Sequence, residues 1–135
     1  DFNRDSLLDM FITNYINEVN VVYCGRKGGT FQDRSERMGF NNVNKQNLGF
    51  GTQAADLDRD GWLDLLVLNG HTDDFTFRGE PFHMKAECYA GGPNGFRKLE
   101  ETSLGEYFSR LTVGRVLTTL DWNNDHKVDF VATHL

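Results

Sequence analysis

Three ten-residue segments of this 135-residue chain share one acidic pattern. They are Asp1–Met10, Asp56–Leu65 and Asp121–Phe130, each reading Asp-x-Asp/Asn-x-Asp-x-x-x-Asp before an apolar residue. The whole chain carries 14 Lys plus Arg against 20 Asp plus Glu, a formal net charge of −6. Half of those acids lie in the three segments, whose basic residues are Arg4, Arg59 and Lys127, so the segments sum to −7 and the remainder to +1. Carboxylates set this close repel one another unless the chain turns them apart or a cation lies between them.

The segments belong to a longer repeat. The second follows the first by 55 residues and the third follows the second by 65, and flanking residues match as well. Tyr23–Gly25 aligns with Cys88–Ala90, Gly29–Phe31 with Asn94–Phe96, and Gly49–Gly51 with Gly114–Val116, a constant register of 65. The ten-residue difference then falls between Asn69 and Ala86 as an insertion, residues 70–85. A period of this size signals a solenoid, propeller or array.

Within one period the pattern predicts four short strands: 49–57, 63–69, 86–90 and 96–99, with one helical turn inside 102–110. Leu63–Asn69 is short and apolar, as suits a strand buried on both faces. The Gly91–Gly95 run reads as a hairpin connection. The fold class expected is all-β, a fragment of a β-propeller with four-stranded blades and ion-binding loops between strands one and two. Residues 1–47 form a partial blade lacking its first strand, 48–112 a complete blade carrying the insertion, and 113–135 the first half of a third. The chain opens on Asp1 and holds fewer blades than a closed propeller needs, so it reads as a piece of a longer one.

Alternating carboxylates and amides in a tight loop aim hard oxygen donors at one point, which suits Ca²⁺. The expected donors are Asp56, Asp58, Asp60 and Asp64 with the Trp62 carbonyl; Asp1, Asn3, Asp5 and Asp9 with the Leu7 carbonyl; and Asp121, Asn123, Asp125 and Asp129 with the Lys127 carbonyl. Up to three calcium ions would bring the formal charge to zero. Gly61 permits a left-handed turn, a conformation Ser6 and His126 reach only with strain. An EF-hand is excluded, because its twelfth position calls for Glu and Val67 stands there. Three acidic turns closed by their own side-chain caps, without any ion, are the competing interpretation.

The segment Asp56–Leu65, preceded by Gly49-Phe50-Gly51 and Ala54-Ala55, resembles the FG-GAP/VCBS repeat. Gly28–Asp33, Asn69-Gly70-His71 and Val113-Gly114-Arg115 extend the resemblance to the ASPIC/UnbV (cartilage acidic protein) class. Ser6, His126 and Arg115-Val116-Leu117 depart from the usual pattern. The resemblance implies a calcium-loop propeller in a secreted or cell-surface protein, periplasmic or extracellular, that serves as a binding or adhesion scaffold for a protein or glycan partner. The rest of the propeller, or other subunits, would be further partners.

No catalytic constellation is visible, and the chain is expected not to be an enzyme. An accessory propeller of a secreted polysaccharide lyase or phospholipase is the alternative, and a lectin a third. The acidic balance argues against nucleic acid, and no apolar run nears the ~20 residues of a membrane span. Trp62 and Trp122 are expected to pack rather than serve as sugar platforms. The insertion is expected to be a lid whose Phe75, Phe77 and Phe82 cover a neighbouring blade, with partner contact as the alternative. A zinc site from His71, Asp73 and His83 is a weaker option. Cys24 and Cys88 sit one position apart in the repeat register, which puts them on opposite sheet faces. Free buried thiols are expected, since equivalent strands stand too far apart for a disulfide.

Overall fold

The strand Asp64–Asn69 is buried at all six positions, and the rest of the molecule is arranged around it. Its side chains alternate between faces, as strand geometry requires. Leu65 and Val67 join Val22, Phe40, Tyr89 and Phe96 in one core, while Leu66 and Leu68 join Cys88, Phe108 and Leu117 in another. A strand with apolar residues on both faces must lie in a sheet covered on both sides.

A computed structural model describes residues 1–41 and 45–135 and shows a mostly β architecture. Among the described residues nine strands form three antiparallel sheets: β1 (Met10–Ile12), β2 (Val21–Arg26) and β3 (Thr30–Asp33); β4 (Gly49–Ala55), β5 (Asp64–Asn69), β6 (Glu87–Ala90) and β7 (Arg97–Lys98); and β8 (Gly114–Leu120) with β9 (Asp129–His134). Each sheet follows chain order. The middle sheet has an apolar core on either side, and β4 also lies close against β8. That approach requires the small residues of Gly-Phe-Gly. A Cβ at Gly51 would lie 2.7 Å from the Arg115 carbonyl oxygen and the Leu117 nitrogen. Both β4 and β8 slip register after their first residue, between Gly49 and Thr52 and between Gly114 and Leu117.

The strands are slightly shorter than the sequence pattern predicts. β4 stops at Ala55 because Asp56 already opens the acidic loop. The expected single helical turn is two, α1 (Glu101–Leu104) and α2 (Glu106–Ser109), separated by Gly105 at φ 90°. Among the described residues no helix is long and apolar enough to cross a membrane.

The repeat register needs one correction. Met10 pairs with Tyr23, and the equivalent Leu65 pairs with Tyr89. Tyr23 therefore corresponds to Tyr89, an offset of 66, and the offset of 65 returns only where Gln32 and Arg97 pair with Cys24 and Ala90. The hairpin after β2 is one residue longer than the one after β6, a difference that composition alone does not reveal. Cys24 and Cys88 consequently occupy the same face of corresponding strands rather than opposite faces. Cys24 lies in the core between the first two sheets and Cys88 in the core between the second and third, with the middle sheet between them. Both are free and buried.

The insertion also differs from expectation. Phe77 is 75% exposed, so three phenylalanines do not form a lid. The anchor is His71, fully buried, whose Nε2 lies 3.1 Å from Glu80 and 3.4 Å from the Tyr15 hydroxyl while Phe75 packs edge-on against its ring. The Asp73 amide donates to Nδ1 at 3.3 Å. Arg115 of β8 donates to the His71 carbonyl at 2.6 Å, so one residue links the insertion to segments on both flanking sheets. His71, Asp73 and His83 do not gather as metal ligands among the described residues.

Burial raises the Cys88 thiol to about 11 and, together with Asp9 and Asp5, raises Cys24 above its ordinary value. Thiolate is the reacting species, so neither cysteine should be alkylated by iodoacetamide in the folded protein at pH 8, and both should be on unfolding. Rapid native labelling at Cys88 would contradict its position in the core.

Candidate metal centres

Each acidic segment closes as a loop with the same backbone course. The fourth and sixth residues adopt left-handed conformations in all three: Arg4 and Ser6 at φ 58° and 67°, Arg59 and Gly61 at 65° and 88°, Asn124 and His126 at 58° and 64°. Glycine at the sixth position is thus a convenience rather than a requirement. The left-handed fourth position carries no glycine in any loop, which is why sequence reasoning missed it.

Side-chain oxygens organise this course. The first aspartate accepts from the sixth amide: Ser6 to Asp1 at 2.8 Å, Gly61 to Asp56 at 2.9 Å, His126 to Asp121 at 2.9 Å. The third residue accepts from the fifth amide, through Asn3, Asp58 and Asn123. The fifth accepts from the seventh, so the Leu7, Trp62 and Lys127 amides point at Asp5, Asp60 and Asp125. The Lys127 amide is the largest of the influences holding the Asp125 carboxyl below its ordinary range.

The ninth aspartate fastens the loop to its sheet. Its Oδ2 accepts the second residue's amide: Phe2 to Asp9 at 2.6 Å, Leu57 to Asp64 at 2.9 Å, Trp122 to Asp129 at 2.8 Å. Its Oδ1 reaches across to the next strand, where Gly25 donates to Asp9 and Gly91 to Asp64, each at 2.8 Å. Glycine is needed at that point because a Cβ on Gly25 or Gly91 would collide with the Leu8 or Leu63 carbonyl oxygen.

The donor set of the middle loop fits a hard cation. Oxygens of Asp56, Asp58 and Asp64 lie within 4.8 Å of one another, the one such group among the described residues. Asp56 Oδ1 is buried and has no hydrogen-bond partner, an expensive state for a carboxylate oxygen unless a cation meets it. The corresponding Oδ1 atoms of Asp1 and Asp121 instead accept the Asp5 and Asp125 amides. Asp60 stands outside the cluster, and the outer loops, with asparagine in third place, gather no comparable group of acids. The His126 side chain is 92% exposed with Nδ1 3.9 Å from Asp121.

Arginines join one loop to the next. Arg4 donates to the Gly61 carbonyl and lies 4.2 Å from the centre of the Trp62 ring; Arg59 donates to the His126 carbonyl. The fourth residue of the first and of the second loop thus grips the sixth of the following one. Sequence reasoning noted these arginines only as charge; their appearance at the same repeat position was the available signal. Trp62 packs as expected, whereas Trp122 is 77% exposed.

Residues 1–67 match the family model of the FG-GAP-like repeat. No curated protein matches the chain.

Two substitutions separate the framework from the donors. Asp64→Ala strands the Leu57 and Gly91 amides and should cost roughly 2–4 kcal/mol even in chelator. Asp58→Ala removes one exposed local bond and should change the chelator melt little while weakening calcium binding sharply. Chemical denaturation with and without EDTA checks both.

Proposed function

We propose that this chain is a non-catalytic segment of a calcium-stabilised, extracellular β-propeller of the FG-GAP/VCBS type, serving as a protein- or glycan-binding or adhesion scaffold. The observation that carries the ion is the unpartnered, buried Asp56 Oδ1 beside the Asp58 and Asp64 carboxylates. Calcium rather than zinc suits a site built from carboxylates with no His or Cys among them. Loops one and three, with the same backbone course, are its weaker companions, and the ASPIC/UnbV class is the subfamily whose motifs fit best. Its part in the mechanism is structural: an ion in each loop would offset the carboxylate repulsion where two strands of a sheet meet.

Apolar residues at both ends of the stack support further blades. The second residue of each loop faces the following sheet: Phe2 packs on Phe96 and Leu57 on the second core, but Trp122 has no such cover. At the opposite end Phe31 is 46% exposed, whereas its counterpart Phe96 is 7% exposed. Loops carried on such a rigid stack are suited to presenting a binding surface.

Ligand that binds only the native state stabilises it by about 2.7 kcal/mol at a hundredfold excess over Kd. The melting temperature should therefore rise with Ca²⁺ and fall with EDTA, while Mg²⁺, with its stricter octahedral demand, does much less. An identical melt in calcium and in chelator would overturn the ion assignment.

A further inference from the structure

At the same end of the sheets as the acidic loops lies an open cleft of about 820 Å³. One wall is loop one, with Asn3 and Asp5; the other is the Pro93–Gly95 turn of the middle sheet. Four cations line it: Arg26 at the end of β2, Lys27 in the following turn, and Arg34 and Arg37 just after β3. Among the described residues no carboxylate lies within ion-pair distance of any of the four. Nearby acids are otherwise engaged: Asp33 accepts both the amide and the hydroxyl of Ser35, and Asp5 accepts the Leu7 amide. A chain of net charge −6 thus keeps four unpaired cations together in one concavity.

We propose that this cleft binds a sulfated glycan, with Arg34 and Arg37 gripping sulfate oxygens and Arg26 and Lys27 extending the track. Guanidinium forks match the paired oxygens of an oxyanion and are weakly hydrated, so three arginines in four cations favour such a ligand. The volume suits a short oligosaccharide rather than a lone ion. The cleft lining contains no aromatic ring on which a nucleobase would stack, which disfavours a nucleic acid. The choice of sulfate over a phosphate ester rests on the extracellular scaffold reading; the cation cluster itself does not.

The test is calorimetric titration of the chain with a heparin-derived hexasaccharide at physiological salt, in calcium and in EDTA, with the melting temperature recorded for each sample. Arg34→Gln/Arg37→Gln should weaken binding at least about tenfold, and Arg26→Gln/Lys27→Gln, at exposed positions, should do likewise if the first pair disturbs folding. Arg110→Gln, whose arginine is paired to Glu106 away from the cleft, should leave binding unchanged. Undiminished binding in both double variants, equal binding of the desulfated hexasaccharide, or equal binding of an oligonucleotide of the same charge would each overturn the proposal. Absence of glycan binding by the native chain alongside an intact calcium-induced melting shift would sink the cleft and leave the calcium-loop scaffold standing. Arginine-dependent glycan binding without a calcium shift would uphold the cleft and overturn the ion assignment.

Discussion

The two oxygens of the ninth-position aspartate in the first and second acidic segments, Asp9 and Asp64, hold the first two sheets in register. In the middle sheet Asp64 is 5% exposed, and both oxygens accept main-chain amides, one from the start of its own loop and one from Gly91 on the far side of its strand. A buried carboxylate that satisfies two amides at once fixes three segments relative to one another: the entry to the loop, the strand that follows, and the strand beyond. Asp9 does the same for Phe2 and Gly25. Glycine is required opposite each, since any side chain there meets the carbonyl before the aspartate.

With the loop ends fixed, the remaining acids are drawn together, and their repulsion has to be met. Part of the answer is internal, through the ladder of amides accepted by the first, third and fifth residues. Part lies between loops, where Arg4 and Arg59 bring positive charge to the next turn and tie successive sheets at one end. At the other end His71 and Arg115 bind the insertion between segments of the first and third sheets. The residual imbalance is greatest in the middle loop, where a buried Asp56 oxygen has no partner.

Much of this was legible in the sequence because acid loops and strands leave strong local signals. The motif spacing located the loops, the apolar run 63–69 located the doubly buried strand, and Gly49-Phe50-Gly51 marked the start of the strand before the middle loop. What escaped depended on pairing across space. The one-residue difference between two hairpins reversed the faces assigned to Cys24 and Cys88. His71 looked like a loop residue until its contacts with Glu80, Tyr15 and Phe75 made it an anchor. Trp122 was expected to pack, but it is 77% exposed. The role of the two arginines was invisible because each acts on a loop more than fifty residues away.

Terbium luminescence tests the cation assignment in the middle loop most directly. Tb³⁺ shares the oxygen preference of Ca²⁺, and Trp62 sits inside the loop as its own antenna. With Trp122→Phe as the background, which removes the indole of loop three, excitation of Trp62 should give sensitised emission that Ca²⁺ displaces. The signal should be lost on adding Asp58→Ala or Trp62→Phe, the latter keeping its calcium-dependent melt. Emission that is absent in the Trp122→Phe chain, or that survives Asp58→Ala undiminished, would contradict an ion held by Asp56, Asp58 and Asp64.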